Sequence, residues 1–138
     1  MKAKSITLFT HIEPLIINAD ADLFKSVIYN FVDNAVKASF EGGKIELTCH
    51  SEGEYAVITV RDYGMGIAEE DKKRIFEPFY MADKVRSRKL GGAGLGLALC
   101  AEIAKKHNAK IELESELGKG TIISICIKQS EGKINEQI

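Results

Sequence analysis

The run from Asp20 to about Ser39 carries apolar residues at helical spacing, and it constrains this chain more than any other stretch. At about 100° per residue, Phe24, Val27, Ile28, Phe31 and Ala35 share one arc, while Asp22, Lys25 and Asp33 lie on the far side. Such a helix needs a core on one side and solvent on the other. Beside the core-facing arc, Asn30, Asn34 and Lys37 stand at i, i+4 and i+7, within roughly 60° of one another. Amides at the edge of a buried face are costly unless something meets them. A hard cation carrying phosphates suits them, because Mg²⁺ takes one or two protein oxygens and leaves its other positions to water and phosphate. Taken alone, the stripe is better explained by solvated asparagines. The rest of the chain decides.

Before that helix, Ser5 to Ile12 alternates and reads as a strand, Pro14 breaks it, and Leu15–Ile17 reads as a second short strand. Asn18 or Asp20 caps the helix, with Asp22 near the positive end of its dipole. After Glu41-Gly42-Gly43, the runs Lys44–Ser51 and Tyr55–Arg61 read as a hairpin, with Ile45, Leu47 and Cys49 matching Ile58 and Val60. The second run ends in Asp62-Tyr-Gly-Met-Gly-Ile67. A carboxylate at the end of a buried strand can accept from an amine, and glycine permits a close, left-handed backbone around it. A Gly-rich loop capped by Asp is the plain alternative.

Glu69–Ile75 reads as a short helix, and Phe76-Glu-Pro-Phe-Tyr80 as an apolar latch on the body. Met81–Leu90 is basic and without period, with Lys84, Arg86, Arg88 and Lys89 opposed only by Asp83; loops of that kind are usually solvated, and some act as lids over anions. Gly91-Gly-Ala-Gly-Leu-Gly-Leu97 then opens a helix that runs to His107. Glycines at a helix N-terminus expose backbone N–H groups to an anion. The stretch is neither a P-loop nor a dinucleotide fingerprint, since no Gly-Lys-Ser/Thr ends it and no strand precedes it. Asn108 stops the helix, His107 reads as a cation at its C-terminus, and Lys110–Glu114 and Thr121–Lys128 form a last hairpin.

A length of 138 residues fits one domain, expected over 1–128 with a polar tail at 129–138. The net charge of −1 argues against a nucleic-acid partner, and no apolar run reaches membrane-span length. Cys49, Cys100 and Cys126 sit in apolar-patterned segments and read as buried free thiols. A cytoplasmic domain without direct membrane contact is expected, and a membrane-anchored parent protein stays open.

In this order and spacing, the four stretches resemble the catalytic ATP-binding domain of bacterial sensor histidine kinases, part of a wider group of ATPases that includes gyrase. Asn30–Lys37 looks like the family's N box, Asp62–Ile67 its first glycine box, Phe76–Phe79 its F box, and Gly92–Leu97 its second glycine box. The resemblance covers about Ser5 to Lys128. It implies an α+β, two-layer sandwich of the Bergerat type, with a mixed, mostly antiparallel sheet and helices on one face. It also implies ATP and Mg²⁺ as cofactors. Asn34 with Asn30 would hold the metal, and Lys37 would reach a phosphate. Asp62 would read the adenine amino group, Gly64 and Gly66 would shape the base pocket, and Thr121 would lie near adenine. Gly92, Gly94, Leu95 and Gly96 would carry the phosphates. Two positions depart from the pattern: Met81 replaces an Arg common in the lid, and Ala93 replaces a Thr or Ser, so that Lys84, Arg86 or Arg88 is left to meet the terminal phosphate.

The implied function is transfer of the γ-phosphoryl group to a histidine on a separate dimerisation domain, with a response regulator downstream. His11 reads as a strand residue rather than the acceptor, so the chain reads as the ATP-binding half of a kinase. Two other readings compete. Anti-sigma-factor-like serine kinases typically carry Glu at the position of Asn30, and gyrase-type ATP hydrolases use a carboxylate there as general base. Asn30 cannot take a proton.

Overall fold

The structure is a computed structural model that describes residues 4–80 and 95–130. Its elements are β1 (Thr7–Ile12), α1 (Ala21–Ala38), β2 (Lys44–Glu52), β3 (Tyr55–Asp62), α2 (Glu69–Lys72), α3 (Gly96–Lys106), β4 (Lys110–Glu116) and β5 (Gly120–Lys128). The strands form one sheet in the order β1-β2-β3-β5-β4. β1 runs parallel to β2, and the remaining pairs are antiparallel. A parallel pair needs a crossover, and α1 supplies it. The implied α+β sandwich with helices on one face is what the chain adopts.

Strand alternation decides which residues meet the helices. Leu47, Val60 and Ile123 lie side by side in register, as do Cys49, Ile58 and Ile125. They pack with Phe24, Val27, Phe31 and Ala35 of α1 and with Cys100, Ile103 and Ala104 of α3. Phe31 and Ile125 are almost wholly buried, so truncating either to Ala costs about 2–5 kcal/mol. Among the described residues the opposite sheet face carries no helix, and it bears polar rows such as Thr48, Thr59, Ser124 and Glu112.

Both ends of α1 are closed by polar groups. The Asp20 carboxylate accepts the Leu23 N–H at 3.0 Å. At the other end Ser39 donates through its backbone and its hydroxyl to Ala35, and Lys4 Nζ donates to the carbonyls of Val36, Lys37 and Ser39. A cation on the last carbonyls of a helix complements the dipole.

Several local expectations change. The strand over Leu15–Ile17 reduces to a single bridge between Ile17 and Gln129, because the chain after Pro14 meets only the end of β5. Gln129 donates to the Glu54 carbonyl at 2.7 Å, and Ser130 to that of Ile16 at 2.8 Å, so the chain is tied down through Ser130. The helix at Glu69 ends at Lys72 and continues as turns to Phe79. Of the latch aromatics, Phe76 packs on the core, whereas Phe79 is 70% exposed with φ of 67°. Tyr80 bonds Asp71 and stacks under Arg74 instead.

His107 does not sit as a cation. Its Nε2 accepts the Asp20 N–H at 3.0 Å while Nδ1 faces the Ile103 carbonyl at 2.8 Å, which places one proton on Nδ1. The ring thereby joins the start of α1 to the end of α3. All three thiols are free, but only Cys100 is buried, which pushes it up to about 12; Cys49 and Cys126 are half-buried. Cys126 is on the open sheet face, in register with Val57 and Lys110. Among the described residues no helix is long and apolar enough to cross a membrane.

Candidate nucleotide-binding site

The site lies where the end of β3, the C-terminal half of α1 and the start of α3 approach one another. Asp62 is the last residue of β3 and faces the helices, only 5% exposed. Its Oδ1 accepts the Gly64 N–H at 2.9 Å, and the Thr121 N–H donates to the same carboxylate. Burial pushes its pKa up, and these two backbone donors pull the other way. Among the described residues no Lys, Arg or His pairs with it. A buried acceptor without a cation is suited to a neutral donor such as an amine.

The glycines after Asp62 answer to backbone crossings. At Gly64 a Cβ would lie 2.0 Å from the Ala38 carbonyl oxygen, where the loop passes over the end of α1 and Met65 N–H donates to that same oxygen. Gly66 combines a φ of 72° with a contact of 2.1 Å between such a Cβ and the Glu116 carbonyl. The loop is thus clamped between α1 and the β4–β5 turn, where Gly118 N–H donates to Met65.

On α1, Asn30 Nδ2 donates to the Ser26 carbonyl at 2.8 Å, leaving Oδ1 as the free face of the amide. That oxygen looks at α3: a Cβ on Gly96 would stand 2.7 Å from it. Asn34, one turn on, makes no side-chain hydrogen bond among the described residues. The Asn30 oxygen open toward a helix start, with the unbonded Asn34 amide one turn on, fits a hard divalent cation, which takes neutral oxygen ligands beside phosphate. Lys37 is held by Asp33 at 3.0 Å, both about one-third exposed. A pair so placed is worth little, so Lys37 is released to another anion at small cost. α3 begins at Gly96, and Leu95 at its N-cap offers no side-chain acceptor to the first N–H groups. Gly92, Gly94, Met81, Ala93, Lys84, Arg86 and Arg88 lie outside the described residues.

Thr121 stands beside Asp62 in the β3–β5 register and beside Ser115 in the β4–β5 register. Its hydroxyl is 2.8 Å from that of Ser115. Sequence reasoning passed over Ser115, although a polar residue ending the inward row Ile111, Leu113, Ser115 was a visible signal. It also gave no role to Gly120, whose φ of 110° and 2.2 Å approach to the Asp62 carbonyl admit no side chain.

Residues 19–131 match the family described as histidine kinase-, DNA gyrase B-, and HSP90-like ATPase. The chain belongs to that family. Within it, the chain is similar to sensor histidine kinases: 42% identical over 99 residues to RppB of Synechocystis, covering 72% of this chain and 22% of the relative. To WalK of Bacillus subtilis it is 40% identical over 119 residues, covering 85% and 20%. It therefore spans about one-fifth of those curated relatives. Among solved structures, the catalytic domain of the histidine kinase ThkA superposes with a TM-score of 0.77 at 29% identity, covering 90% of this chain and 79% of that one. Full-length ShkA, solved in complex with AMPPNP, gives 0.77 at 28% identity, covering 92% and 26%.

Proposed function

We propose that this domain binds ATP with Mg²⁺ and supplies the γ-phosphoryl group to a histidine on a separate helical dimerisation domain, from which a response regulator takes it. The observation that carries the reading is Asp62: a buried carboxylate without a cation partner, aimed from a strand end at the helix layer. Asn30 lies eight residues before Ala38, about 12 Å along the α1 axis from the point where the Asp62 loop crosses. Base-reading and metal-holding groups thus stand at opposite ends of one helical segment. Similarity to proteins named sensor histidine kinases, and to one solved with AMPPNP, supports the nucleotide.

Asp62 accepts from the exocyclic amine, and the clamped Gly64–Gly66 loop forms the wall beside it. Asn30 and Asn34 offer carbonyl oxygens to the metal, which when bound offsets negative charge on the phosphates. Lys37 leaves Asp33 for a phosphate, and the first N–H groups of α3 favour negative charge near Gly96. No described residue at this end is placed as a base, since Asn30 already donates to Ser26 and cannot take a proton. Phosphoryl transfer then rests on positioning and electrostatics, and the acceptor must come from outside this chain.

The test uses the domain with and without a His-bearing dimerisation domain from the same parent, and radiolabelled ATP with Mg²⁺. Alone, the chain binds ATP without labelling itself and turns it over slowly, because a positioned acceptor is worth on the order of 7–11 kcal/mol of barrier. With the second domain, acid-labile phosphate appears on its histidine. Acid-resistant phosphate on a serine of a partner protein, or rapid hydrolysis by this chain alone, overturns the reading.

A further inference from the structure

We propose that Ser115 is a positioning residue for base discrimination: it orients the Thr121 hydroxyl so that only lone pairs face the base. A purine with an exocyclic amine is thereby favoured over one with a carbonyl at that position. The inference rests on the nucleotide reading above and adds to it a residue that does not itself touch the ligand.

The argument is a count of protons. Ser115 Oγ has three neighbours: the Ile67 N–H at 2.8 Å, the Gly120 carbonyl at 2.9 Å and the Thr121 hydroxyl at 2.8 Å. A serine hydroxyl has one proton to give and two lone pairs to receive with. The Gly120 carbonyl can only accept, so the Ser115 proton points there. The Ile67 N–H can only donate, so it takes one lone pair. One lone pair remains, and the Thr121 proton must fill it. With its proton spent on Ser115, the Thr121 oxygen has nothing left to donate. Its lone pairs then share the inner sheet face with Asp62, its neighbour in the β3–β5 register. Two acceptor-only groups side by side attract an amine and repel a carbonyl, directly or through one water that gives one proton to Thr121 and the other to Asp62 and can then only accept. The same serine ties Ile67, at the end of the glycine loop, to the β4–β5 turn, so one hydroxyl sets both the wall of the pocket and the direction of its second acceptor.

The experiment measures dissociation constants for ATP and for inosine triphosphate, which carries a carbonyl in place of the amine, by titration calorimetry with Mg²⁺. Wild-type protein prefers ATP. In Ser115→Ala the Thr121 hydroxyl is free to donate, and the ATP preference falls about three- to tenfold, the worth of one hydrogen bond. Ser115→Thr keeps the proton and keeps the preference. A merely structural role would weaken both nucleotides by the same factor with their ratio intact, and that result overturns the proposal. If Ser115→Ala does not fold, Thr121→Val and Thr121→Ser decide: the first must lose part of the preference and the second retain it, and an unchanged ratio in Thr121→Val is equally fatal. Adding Ser115→Ala to Thr121→Val must leave the ratio where Thr121→Val put it, because the two act through one hydroxyl. Wild-type protein that binds neither nucleotide would instead remove the nucleotide reading itself.

Discussion

Replacing Gly96 by Ala separates metal binding from stability. Gly96 is the first residue of α3, and its added Cβ would meet Asn30 Oδ1 at 2.7 Å, well inside ordinary contact. The atom it meets is the end of a side chain, so relief comes from swinging Asn30 rather than moving a helix. That swing forfeits the Asn30 bond to Ser26, about 0.5–1.5 kcal/mol. Against it stands the gain of exchanging glycine for alanine, roughly 0.5–1 kcal/mol in a helix interior and at most that at a first residue. The two nearly cancel, so the melting temperature should move by no more than about 4 °C. Binding should not be spared. On the proposed reading Asn30 then loses its place as an oxygen ligand, a charge-assisted contact of about 2 kcal/mol, and Mg²⁺-dependent ATP affinity should fall roughly thirtyfold. Titration calorimetry in Mg²⁺ and again in EDTA, with a melt on the same samples, reads both quantities. Equal losses in the two buffers would mean that the methyl blocks phosphate directly and that Asn30 is no ligand. A melting temperature lowered by 10 °C or more, roughly three kcal/mol, would mean that the crowding is not relieved by Asn30 at all.

Gly64→Ala is the counterpart with no flexible partner: its Cβ would lie 2.0 Å from the Ala38 carbonyl, and separating the two strains the Met65–Ala38 hydrogen bond. The expected loss is about 2–4 kcal/mol, a fall near 10 °C, and a melt within a degree or two of wild type would refute the crossing. Asp62 should write a pH signature on stability. Its pKa is raised by burial, so between about pH 4, where the unfolded chain ionises, and the higher folded value, the native state holds more protons. Stability relative to Asp62→Asn should therefore fall as pH rises through that window and stay level above it. Urea unfolding of both proteins at stepped pH measures this, and wild type gaining on the variant with rising pH would show that the two backbone donors outweigh burial.

The local elements were legible because their causes are local. The 3.6-residue period of Phe24, Val27, Phe31 and Ala35 and the alternation of Leu47, Val60 and Ile123 announce which face is buried without reference to a neighbour. Asp20 caps α1 and Asn108 takes a left-handed φ of 54°, as their short polar side chains favour. Leu15–Ile17 failed for the complementary reason: an apolar triplet becomes a strand only if a partner edge extends far enough to pair with it, and here one bridge, to Gln129 just past β5, is all that forms.

The amino-acid order by itself determined the helix, the hairpins and the chemical character of Asn30, Asn34, Asp62 and the glycines. Tertiary structure alone decided what those groups can do. Asn30 presents its oxygen outward because Ser26 takes its amide proton and Gly96 leaves the space. Gly64, Gly66 and Gly120 are required less by their own turns than by the carbonyls of Ala38, Glu116 and Asp62 that cross them. Lys37 rests on Asp33 although the two were assigned to different sides of the helix, because residues four apart stand only about 40° round the axis and are neighbours on one face. Such contacts join residues as far apart as 30 and 96 or 67 and 115, and no pattern along the chain encodes a close approach until the sheet and helices have brought those backbones together.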